Sequence, residues 1–154
     1  MKKLMTVASL LLLTIIVSAQ TDFSGTWKLN KEKSKLNDQF SMAPTQLIIV
    51  QKGNDLSLER NISFQDQNMT IQEKFTLDGK ECLNNGMMDS KKKSVAVFSD
   101  DKKVLTIDSK IPMQDGAEIA IKEVFSIVNG NLVIDSSNKS SWGDTTEKMT
   151  FDKQ

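Results

Sequence analysis

An all-β fold, a single antiparallel meander closed into a barrel of about ten strands, is predicted by three observations. After residue 22 apolar and polar residues alternate with a period of two in short runs, and Gly, Asn and Asp turns separate those runs. Only one stretch of the mature chain could be helical. So many short strands without a covering layer of helices must hide their edges by closing on themselves or by folding into two sheets. Closure is the simpler answer.

The elements follow in order. Residues 1–19 read as a secretory signal, because Lys2 and Lys3 open it, Leu4 to Val17 form a short apolar stretch, and Val17-Ser18-Ala19 is a small-residue cleavage site. The expected mature chain, 20–154, is one barrel domain destined for the periplasm or the outside of the cell. The apolar stretch carries Thr6, Ser9 and Thr14 and falls short of the roughly 20 residues a spanning helix needs. No membrane span is therefore expected.

Strands are read at about 23–30, 45–52, 55–64, 69–77, 80–84, 93–99, 103–110, 117–128, 131–138 and 145–152. Gly53-Asn54, Asp78-Gly79 and Asn129-Gly130 are turn dipeptides that set the register of the runs they join. Residues 31–45 lack the alternation and end at Pro44, leaving room for a short helix or lid after the first strand.

Composition removes most chemistry. The chain has no histidine and no tyrosine, a single cysteine, Cys82, and a single arginine, Arg60. Imidazole bases, Ser/His or Cys/His nucleophile pairs and His/Cys zinc sites are absent, and no phosphate-cradling glycine loop or Asp-rich calcium loop appears. No cofactor and no metal are expected. Loss of Lys2 and Lys3 with the signal leaves the mature chain near −2, which gives no electrostatic case for nucleic acid. One cysteine makes no internal disulfide, so packing must hold the fold. A monomer is expected.

The first strand places Phe23, Gly25, Trp27 and Leu29 on one face. A glycine two residues before a tryptophan allows close approach of a backbone or ring, so Phe23, Gly25 and Trp27 are assigned to closing one end of the barrel. Phe23-Ser24-Gly25-Thr26-Trp27-Lys28-Leu29 resembles the opening strand of the lipocalin and fatty-acid-binding protein (calycin) superfamily, with the length of its smaller ten-stranded branch. The chain also resembles small exported bacterial proteins with a Gly-Thr-Trp start, an Asp-Gly-Lys turn (Asp78-Gly79-Lys80) and a Lys-Gln end (Lys153-Gln154). The resemblance implies a lipocalin-like barrel for a small hydrophobic or amphipathic ligand. It does not carry over a head-group site, since the arginine and tyrosine expected on a late strand are missing.

Charged residues intrude on the apolar phase. Leu56, Leu58, Arg60, Ile62 and Phe64 share one face, and Met69, Ile71, Glu73, Phe75 and Leu77 share a face of the next strand. A four-residue loop at 65–68 would set Phe64 against Met69, Ile62 against Ile71 and Arg60 against Glu73. Across Asn129-Gly130, Glu123 opposes Ser136; across Asp78-Gly79, Cys82 opposes Phe75 and Asn84 opposes Glu73. Arg60, Glu73, Glu123, Cys82, Asn84 and Ser136 are thus candidates for inward polar positions. Either they anchor a ligand's polar end, with Arg60 holding a carboxylate or phosphate, or they lie near the mouths and reach water. Cys82 is read as a small hydrophobe rather than a reactive thiol.

Trp142, in Ser140-Ser141-Trp142-Gly143-Asp144, either covers a mouth and touches ligand, docks a partner, or folds back onto the barrel. Lys91-Lys92-Lys93 reads as a solvated strand start. Three functions remain: a non-enzymatic exported binding protein, an interaction or inhibitor module on a filled barrel, and a weak enzyme using Glu73 and Glu123. The first is the leading reading and the last the weakest, since nothing beyond two inward acids suggests catalysis.

Overall fold

The computed structural model describes residues 19–37, 41–64, 67–86, 90–114 and 116–154; the expected signal, apart from Ala19, lies outside them. Ten strands follow one another: β1 (Gly25–Leu29), β2 (Gln46–Lys52), β3 (Asp55–Phe64), β4 (Gln67–Thr76), β5 (Asp78–Asn85), β6 (Lys91–Phe98), β7 (Leu105–Pro112), β8 (Glu118–Val128), β9 (Asn131–Ser140) and β10 (Gly143–Lys153). They form one antiparallel sheet in the order β4-β3-β2-β1-β10-β9-β8-β7-β6-β5. The first strand pairs with the last, which curls the meander into a nearly closed barrel. Among the described residues only the seam between β4 and β5 lacks a backbone ladder.

Side chains rather than main chain bridge that seam. The Asn84 Oδ1 accepts from the Lys74 N–H at 2.8 Å and its Nδ2 donates to the Lys74 carbonyl at 3.0 Å, so one amide mimics a β-bridge. The Thr76 N–H donates to the Cys82 Sγ at 3.2 Å. The hairpin expected across Asp78-Gly79, with Cys82 facing Phe75 and Asn84 facing Glu73, is therefore corrected. With Gly79 in the left-handed region (φ 77°), β5 leaves β4 without laddering onto it and pairs with β6 instead.

Alternation decides which residues fill the inside. Leu47 and Ile49, Leu56 and Leu58, Leu105 and Ile107, Leu132 and Ile134, and Met149 and Phe151 are buried at every second position of their strands. Turn chemistry holds the register. Asn129 and Gly130 both take positive φ (51° and 81°), the geometry of a two-residue hairpin, and Val128 pairs with Asn131 around them.

One end is plugged from the chain's own start. The Phe23 N–H donates to Gln51 Oε1, the Gln51 Nε2 donates to the Thr21 carbonyl, and Thr21 bonds to Lys102 beside the start of β7. This strap carries Phe23, fully buried, under the barrel, where its ring meets Phe98 and Phe125 at centroid distances of 6.0 and 6.2 Å. Trp27 is buried behind it, and its Nε1 donates to the Phe23 carbonyl at 3.0 Å. Gly25 has φ +147°, and a Cβ there would stand 3.1 Å from the Lys153 side chain. The Lys153 ammonium sits 5.3 Å from the Trp27 ring centroid.

The segment between β1 and β2 holds turns and an isolated bridge, Lys35 with Lys148, but no helix among its described residues. Leu36 and Ala43 pack against the core cluster. The register of β3 on β4 also differs from expectation. The ladder runs on to Phe64↔Gln67, so Arg60 pairs with Ile71, and Glu73 with Leu58. The polar Gln67 and Asn68 read as loop in the sequence, yet they are laddered at the solvent-facing strand ends. The slip is two residues, an even number, so every side chain keeps its face.

Candidate functional site

Four charged side chains converge inside the barrel beyond the apolar floor. Arg60 of β3, Glu73 of β4, Lys92 of β6 and Glu123 of β8 are 8%, 2%, 8% and 5% exposed. The Arg60 Nε donates to Glu73 Oε2 at 2.8 Å, while its Nη1 and Nη2 donate to Glu123 Oε1 and Oε2 at 2.9 and 2.7 Å. The Lys92 Nζ donates to the remaining Glu73 oxygen at 2.6 Å. Each guanidinium nitrogen faces a carboxylate oxygen, and each of the four carboxylate oxygens has a cationic donor. Glu73 to Lys92 spans the unladdered seam from β4 to β6, and Arg60 to Glu123 spans the lumen.

For Glu73 and Arg60 the surroundings favour the charged form. Burial alone would raise the Glu73 carboxyl, but the Arg60 and Lys92 charges and their hydrogen bonds outweigh it and hold the group below its usual range. For Arg60, burial disfavours the cation, and Glu123 and Glu73 overcompensate, so the guanidinium stays protonated more firmly than in water.

Alternation brings further polar groups into the same half of the barrel. The hydroxyls of Ser94 and Ser109, 1% and 2% exposed, share a hydrogen bond of 2.8 Å between β6 and β7. Ser136 pairs with Glu123 in the register, as the Asn129-Gly130 turn implied, and Asn138, two residues on, pairs with Ile121. The Asn138 Oδ1 is buried and has no hydrogen-bond partner among the described residues.

Of the residues singled out in the sequence, Arg60, Glu73 and Glu123 are brought together. Cys82 is half-buried at the seam, bonded to Thr76 rather than to this cluster. Trp142 stands at the tip of the β9–β10 hairpin, 71% exposed and away from the four charges. Lys92 was missed, and its reading as part of a solvated run is corrected. Its signal was its phase, shared with Ser94, Ala96 and Phe98, but Val95 and Val97 made the opposite face of β6 look like the inner one. On the outer wall, a groove of about 530 Å³ over β2–β5 is lined by Val50, Glu59, Lys74 and Leu83 and includes Glu73 and Asn84 at the seam.

Among the described residues no group of three or more His, Cys, Asp or Glu is placed to hold a metal ion, and no helix is long and apolar enough to cross a membrane. A ten-stranded, nearly closed antiparallel barrel with this topology has the lipocalin-like, fatty-acid-binding-protein-like fold. Among solved structures it is similar to the zebrafish ileal bile acid-binding protein complexed with cholic acid, with TM-score 0.58 and 18% identity over 86% of this chain and 98% of that one. It is also similar to apo lipid binding protein 8 of Caenorhabditis elegans, with TM-score 0.57 and 14% identity over 86% and 95% of the two chains. A luciferase domain from the dinoflagellate Lingulodinium polyedrum matches at TM-score 0.50 and 8% identity, over 82% of this chain and 41% of that one. No protein-family model matches the sequence. No curated protein matches it either.

Proposed function

We propose that the protein is a non-enzymatic, exported binding protein that holds a small hydrophobic or amphipathic molecule in its barrel. One observation carries the reading: the side chains inside the barrel divide into an apolar floor around Phe23, Phe125 and Phe151 and a polar half around Arg60 and Glu123. That gradient matches a ligand with a hydrocarbon body and a polar end. The likeness to barrels described as binding bile acid and lipid supports it, and fold likeness alone does not assign a ligand. Export rests on the signal-like residues 1–19, and mature protein recovered outside the cytoplasm should begin at Gln20. Gentle purification from the native host followed by native mass spectrometry should reveal a bound small molecule. An empty barrel that also takes up no fatty-acid or polyene probe overturns the proposal.

A second reading, a protein-docking module, is favoured by the exposure of Trp142 at a hairpin tip. A partner captured from periplasm or culture fluid by the wild type, and lost with Trp142→Ala, would select it.

A further inference from the structure

Resting on the binding proposal above, we infer that the ligand's polar end is uncharged and donates a hydrogen bond, as in an alcohol or a monoacylglycerol, rather than being a carboxylate or phosphate.

Two independent features of the lumen point there. The first is charge closure. Two cations, Arg60 and Lys92, face two anions, Glu73 and Glu123, and all three guanidinium nitrogens and all four carboxylate oxygens are engaged. An arriving anion finds no free fork on Arg60. It must either displace Glu73 or Glu123, stranding a buried carboxylate, or lie beside a neutral set as an uncompensated charge. A lone arginine would invite an anion; an arginine clamped by two glutamates does not. The second feature is the Asn138 Oδ1, buried without a partner among the described residues on the inward phase of β9, one inward position beyond Ser136, which pairs with Glu123. It is an acceptor that lacks a donor. A hydroxyl supplies one, and an ionised carboxylate has none to give.

The test is calorimetric titration of the mature protein with a chain-matched pair, decan-1-ol and decanoate, at pH 7.5. Wild type should bind the alcohol at least about tenfold more tightly. Because an alcohol also leaves water more readily than an anion, the decisive readout is the change in that ratio on Glu123→Gln, which leaves the lumen with one excess positive charge. The ratio should shift at least about tenfold toward decanoate, and Glu73→Gln should act in the same direction. Decanoate binding as tightly as decanol in wild type, or a folded Glu123→Gln whose ratio does not move, overturns the inference while leaving the binding function intact. If both Gln variants fail to fold, Asn138→Leu decides: it should weaken decanol at least about tenfold and leave decanoate unchanged, and equal weakening of both overturns the inference. Binding of neither molecule, nor of longer-chain alcohols or acids, removes the binding function itself and this inference with it.

Discussion

Arg60 and Glu123 are joined by two parallel hydrogen bonds of 2.9 and 2.7 Å although β3 and β8 are separated in the sheet by four other strands. The pair crosses the lumen. Glu73 extends it to Lys92 across the seam, so the four side chains tie together walls that the backbone ladder leaves apart at one place.

Removing one member should therefore be costly, and removing all four much less so. Arg60→Met leaves two buried carboxylates with only Lys92 between them, and a loss of roughly 3–5 kcal/mol is expected by urea denaturation. Replacing the set together, with Arg60→Met, Glu73→Leu, Lys92→Met and Glu123→Leu, should recover at least half of that loss. A quadruple variant less stable than Arg60→Met alone would contradict this account.

Acidification should weaken the same device. The Glu73 carboxyl lies below its ordinary value of 4.5 in the folded protein, so its stabilisation is fully present above that value and fades as pH falls through the lower folded one. Urea midpoints from pH 7 to pH 2.5 should show wild type and Glu73→Gln differing by a constant amount down to about pH 5 and converging below about pH 4. A difference that is lost already between pH 7 and pH 5 would point to another group.

The seam should open first. Asn84→Val removes the amide that pairs with both main-chain groups of Lys74, at a cost of about 1–3 kcal/mol for the groups left unpaired. Hydrogen exchange of the Lys74 and Thr76 amides should accelerate well before that of Leu58 or Ile134. Uniform acceleration across the barrel would mean that the seam has no separate opening.

Truncation at Phe23 and at Trp142 should cost very different amounts. Phe23→Ala empties the space under Trp27, Phe98 and Phe125 and should cost roughly 3–5 kcal/mol. Trp142→Ser, at an exposed hairpin tip, should change stability by no more than about 0.5 kcal/mol. Thermal denaturation of the two variants side by side separates the plug from the tip.

All ten strands were legible in the sequence because period-two alternation is a local property, as were the Asn129-Gly130 hairpin and its Glu123↔Ser136 pairing. The inward facing of Arg60, Glu73 and Glu123 was legible for the same reason, and it survived a register slip because an even slip preserves faces. Lys92 was not, since β6 offered two plausible inner faces and the more apolar one, with Val95 and Val97, looks outward. The placement of Leu36 and Ala43 after β1 was also beyond local pattern, since both are held by what they pack against.

The sequence by itself determined that the chain is an antiparallel meander and that three ionised side chains share the inner phase. Tertiary structure alone decided their partners. Arg60 meets Glu123 and Glu73 meets Lys92 only because closing the sheet brings β3 opposite β8 and β4 beside β6, contacts between residues 63 and 19 positions apart. Alternation dictates which way a side chain points, and only the closed barrel dictates what stands in front of it.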